Sequence, residues 1–82
     1  MQIFVKPANI IKDNNLMNTL TFTVNKYDTL NLLLERISER INIQSKYIYL
    51  LYAGKVLQED KSISFYPIQN NSTIFANIRV NS

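Results

Sequence analysis

Nine basic side chains, six acidic ones and five tyrosines carry the ionisable chemistry of this chain of 82 residues, which has neither cysteine nor histidine. Without those two residue types the usual nucleophile–base pairs and most metal sites are excluded. Paired carboxylates would be the remaining route to acid–base catalysis. The acidic residues show no paired catalytic spacing, so the chain is expected to be no enzyme and to use no metal and no cofactor. The lysines at 6, 12, 26, 46, 55 and 61 are scattered rather than clustered, and the formal charge is only +3. Nucleic-acid binding needs a basic patch or stripe. The expectation is a solvated mixed surface with no nucleic-acid partner. What is left is the chemistry of surfaces: apolar contact and scattered charge.

Those surfaces need a scaffold. The length suits one small domain, and 46% hydrophobic with 18% charged residues is a globular composition. No apolar run approaches the roughly 18 residues of a membrane span. The N-terminus enters an alternating strand at once rather than a signal peptide. Absence of cysteine fits an intracellular protein.

MQIFVK alternates, with Met1, Ile3 and Val5 on one face and Gln2, Phe4 and Lys6 on the other. That predicts a strand, ended by Pro7. Residues 7–18, PANIIKDNNLMN, read as a long Asn-rich connection with Ile10, Ile11, Leu16 and Met17 inside it. TLTFTVN alternates again, Leu20, Phe22 and Val24 inward, which predicts an antiparallel hairpin with an extended loop. The period then changes. Leu30, Leu33, Leu34, Ile37 and Ile41 form one helical stripe, Asp28 or Thr29 can cap its start, and Asn42 can end it. Residues 47–52 predict a third strand, Gly54-Lys55 a turn, and Val56-Leu57 a short strand. Ile63, Tyr66 and Ile68 anchor a turn-rich segment, and TIFANIRV, residues 73–80, alternates as a final strand. The expected fold class is α+β, ββαβ(β)β, with a mixed sheet of four to five strands on one helix. One domain, 1–82, is expected.

MQIFVK, the Asp28-Thr29 helix start, Leu50-Leu51-Tyr52-Ala53-Gly54-Lys55-Val56-Leu57, Ser64-Phe65-Tyr66-Pro67-Ile68-Gln69 and Ser72-Thr73 together resemble the ubiquitin-like family over nearly the whole chain. The departure is the insertion in the first hairpin. The resemblance implies a β-grasp, with the first and last strands parallel at the centre of the sheet. Its core would be Ile3, Val5, Leu20, Phe22, Val24, Leu30, Leu33, Ile37, Leu50, Leu57, Ile63, Ile68, Ile74 and Ala76. Phe22 and Ala76 stand where the resemblance implies leucines, so one is expected to offset the other in volume.

The resemblance also implies function. Family members are conjugated through a C-terminal Gly-Gly, and they bind receptors through an apolar sheet face. Ser82 stands where the first glycine would be, so conjugation through this tail is not expected. The receptor face maps onto Leu51 at its centre, with Tyr49, Phe75 and Asn77 beside it and Gly54 and Lys55 at its lip. Its loop residue would be Ile10, Ile11 or Leu16. Lys6 and Lys55 match acceptor lysines, while Leu34, Arg36, Arg40 and Asn70 replace others. Leu34 also removes an ion pair with the acid at Glu59, which would then face water. The reading is a non-catalytic interaction domain, the N-terminal module of a larger ubiquitin–proteasome-system protein of the eukaryotic cytoplasm or nucleus. It would be a monomer that binds ubiquitin receptors or proteasomal proteins and no membrane. Two alternatives stay open: a divergent modifier, and a scaffold that self-assembles through the Pro7–Asn18 loop and the Phe75 face.

Overall fold

A computed structural model of the chain describes residues 1–12, 15–16 and 18–79. Strand β1 spans Gln2–Pro7, β2 Ile11–Lys12, β3 Asn15–Leu16 and β4 Leu20–Thr23. Helix α1 covers Leu30–Ile41, followed by β5 at Ile48–Tyr52, β6 at Lys55–Val56 and β7 at Thr73–Ile78. Five strands form one mixed sheet in the order β4-β1-β7-β5-β6. Strands β1 and β7 pair in parallel at its centre, and the other pairings are antiparallel. This is the β-grasp, an α+β fold.

The helix forms where its stripe and caps agree. Leu30, Leu33, Leu34, Ile37 and Ile41 are all buried. The Thr29 hydroxyl accepts from the Leu32 amide at 3.2 Å, which settles the cap on Thr29 rather than Asp28. Two further amides that a helix start leaves without partners are met by the turn after β6: Leu30 donates to the Lys61 carbonyl and Asn31 to that of Glu59. Asn42 ends the helix in the left-handed region, φ 58°.

Every expected core residue is buried except Leu20, which is half-buried. Ile10 and Ile48 join the core as well. The expected offset between Phe22 and Ala76 does not occur. Phe22 pairs with Ile3 and Ala76 with Pro7, at opposite ends of β1 and two strands apart. Standard sheet spacings put them roughly 16 Å from each other. Phe22 is instead covered by the guanidinium groups of Arg36 and Arg40.

Pairing continues past Pro7, where the proline was expected to end it. The alternation of the ladder turns residues 3, 5 and 7 toward β4 and residues 4, 6 and 8 toward β7. Pro7 therefore lacks its donor on the side where β4 has already ended, and Ala8 still donates to the Ala76 carbonyl at 2.9 Å. Asn9 then extends the ladder with its side chain. Its Oδ1 accepts from the Ile78 amide at 2.7 Å, and its Nδ2 donates to the Ile78 carbonyl at 3.3 Å. Ile10, fully buried, follows this clasp, and β2 and β3 form a separate small hairpin beyond it. The first connection is thus tied to the last strand at its base. Asn9→Ala should lower stability by about 1–2 kcal/mol in urea unfolding. It should also speed hydrogen exchange at the Ile78 amide, and unchanged exchange there would contradict the clasp.

Candidate interaction face

Cross-strand partners share a face, so the register assembles the site. Lys6 pairs with Phe75, Phe75 with Leu51, and Leu51 with Val56. One row of side chains, Lys6–Phe75–Leu51–Val56, therefore crosses β1, β7, β5 and β6 on the face away from α1. Phe75 is 39% exposed and Val56 55% exposed, while Leu51 is half-buried between them. A second row lies alongside, with Tyr49 paired to Asn77. The Asn77 Nδ2 donates to the Tyr49 hydroxyl at 3.4 Å, and the Arg79 guanidinium lies 5.3 Å over the Tyr49 ring. Cation and ring attract each other there. The Asn77 Oδ1 is buried, with no hydrogen-bond partner among the described residues.

The turn beside the face falls one residue earlier than Gly54-Lys55. Tyr52 pairs with Lys55, leaving Ala53 and Gly54 as a loop of two residues, with φ of 51° and 78°. Positive φ at both central positions matches the twist of a tight hairpin. Gly54 takes that conformation freely, and a Cβ there would meet nothing within 4 Å. Ala53 adopts it at the cost of its own Cβ.

The register also separates Lys55 from Leu51. Lys55 stands opposite Tyr52, whose ring packs toward the core and whose hydroxyl donates to the Pro67 carbonyl at 3.1 Å. The Lys55 side chain thus leaves from the other side of the edge strand, and Val56 takes the place beside Leu51. A loop at Gly54-Lys55 sets Val56 opposite Ala53, whereas the loop at Ala53-Gly54 sets it opposite Leu51 and so adds it to the face. Of the loop candidates, Ile10 is buried and Ile11 is 67% exposed. The side chain of Leu16, like residues 80–82 with Ser82, lies outside what the structure describes. Lys6 and Lys55 are exposed. Leu34 is buried and lines a cavity of about 220 Å³ with Leu30, Ile48 and Leu57, while Glu59 is exposed at its edge.

The family model of the ubiquitin family matches residues 3–81. The chain belongs to the ubiquitin family. This ubiquitin-like domain carries its outward rows on the β-grasp sheet that the family match and the strand order both describe.

Ala53→Asn should raise the stability of the domain by roughly 0.5–1 kcal/mol, because asparagine tolerates the left-handed region that alanine resists. Thermal and urea unfolding check this, and a loss of stability would contradict the turn assigned here.

Proposed function

We propose that this ubiquitin-like domain is a non-catalytic protein-interaction module that binds ubiquitin-receptor or proteasomal proteins through its outward sheet face. The observation that carries the reading is the in-register row Lys6–Phe75–Leu51–Val56 with Tyr49 and Asn77 beside it. Single exposed apolar residues mean little, but several adjacent ones on one sheet face suit a docking surface. Leu51 and Phe75 supply the apolar centre, Tyr49 the aromatic area, and Val56 the rim at the edge strand. Aromatic anchors ringed by polar groups are the usual form of a binding hot spot. Gly54, without a side chain, allows a partner to approach the turn backbone, while Lys6 can pair with an acid at the rim; Lys55, turned to the other side of the edge strand, no longer has that role. Both lysines are also open to ubiquitin as acceptors.

In this reading the domain, residues 1–82, is a monomer within a larger ubiquitin–proteasome-system protein of the eukaryotic cytoplasm or nucleus. Asn77 and the aromatic neighbours give its face a chemistry of its own, so its receptors need not be those of ubiquitin. Leu51→Asp places a charge at the centre of the face. It should weaken binding to ubiquitin-receptor domains by at least about 30-fold in calorimetric titration while leaving the circular dichroism unchanged. Undiminished binding by the folded variant would sink this face as the docking surface. Sedimentation at several concentrations separates the module from a self-assembling scaffold.

A further inference from the structure

The geometry points to a binding site for a phosphoryl dianion between Arg36 and Arg40, at the edge of the sheet opposite Leu51 and Val56. The two arginines stand one turn apart on α1, and both are drawn over a single ring. The Arg36 guanidinium lies 5.2 Å and that of Arg40 5.5 Å from the Phe22 centroid. Phe22 is buried on the edge strand β4, so the ring is a fixed platform. The Arg36 Nη1 also donates to the Thr23 carbonyl at 2.8 Å, which fixes the plane of that group.

Like charges at this helical spacing repel each other. The ring's negative face holds both in place but does not neutralise them. Each guanidinium has five N–H donors, and Arg36 spends one of them on Thr23. The remaining donors open on a recess lined by Thr21, Phe22, Thr23, Arg36, Glu39 and Arg40. Glu39 is the one carboxylate in that lining among the described residues, so the recess keeps a net positive charge. Two planar forks suit a group with several acceptor oxygens and two negative charges. A phosphoryl group has that form, and a single carboxylate would meet only one of the forks. The group can be carried by a phosphorylated side chain of a partner or come as free phosphate. The site is independent of the outward sheet face.

Titration of the labelled domain by nuclear magnetic resonance, at constant ionic strength, tests the assignment. Inorganic phosphate and a phosphoserine peptide are the two probes. Saturable shifts are expected at the Thr21 and Thr23 amides and at the side-chain Nε–H of Arg36 and Arg40. The double variant Arg36→Gln/Arg40→Gln should weaken binding at least about tenfold. That variant also uncovers Phe22, so Arg36→Lys/Arg40→Lys provides a second test: it keeps both charges and the aliphatic cover over Phe22 but removes the planar forks. It should weaken binding at least about fivefold without loss of fold. Peptide binding clearly tighter than phosphate assigns the group to a protein partner, and equal affinities assign free phosphate. Shifts that never saturate, or a folded Arg36→Lys/Arg40→Lys domain that binds like the parent, would overturn the site.

Discussion

The structure depends on the parallel pairing of β1 with β7. Ile3, Val5, Ile74 and Ala76 are fully buried on these two strands. Parallel neighbours cannot be joined by a tight turn and need a crossover connection. Here nearly all of the chain between them serves as that connection. The helix covers one face of the central pair, and β5 with β6 extends the sheet beyond β7. Closing so long a loop is entropically costly, so the pair holds only because the helix stripe and both flanking strands pack at the same time. The turn after β6 joins these layers by lending the carbonyls of Glu59 and Lys61 to the helix start.

The same pairing builds the outward face. Burying Val5 and Ile74 on one side obliges Lys6 and Phe75 to leave on the other, since strand side chains alternate. The row that ends at Val56 is therefore set by the register of the core. Leu34 adds to the division between faces. Its aliphatic side chain stands where the family resemblance implies a lysine paired with an acid. The helix–sheet interface is left with no charged residue inside, and no polar or charged residue is buried among the described ones. Replacing such a pair with apolar packing can be neutral or stabilising.

Periodicity and caps made much of this legible from the residues alone. The helix runs from Leu30 to Ile41 as its stripe predicts, because Thr29 and Asn42 carry distinct capping chemistry at its two ends. The alternating strands were legible for the same reason. The β2–β3 hairpin was not, since strands of two residues are too short to show a period. Nor was the burial of Ile10, which depends on Asn9 reaching a strand 69 positions away in sequence. The position of the turn at Ala53-Gly54 was not legible, because an alanine at positive φ leaves no signature in composition. In the candidate face, Leu51, Phe75, Tyr49 and Asn77 came from the family resemblance, and alternation adds only that they point outward. Val56 and the turning away of Lys55 needed the hairpin register. Volume compensation between Phe22 and Ala76 failed because residue sizes carry no information about which strands are neighbours.

The Asn9 clasp has a mechanical consequence. Strands β1 and β7 run in the same direction, so tension applied across Gln2 and Ile78 pulls them along their length in opposite senses. The load then falls on all the bonds between them together, as in shear, rather than on one bond after another as in unzipping. The two bonds from the Asn9 amide lie at the loaded end of β7 and share that force. A side chain from the inserted loop thereby lengthens the stretch over which the domain resists being drawn apart.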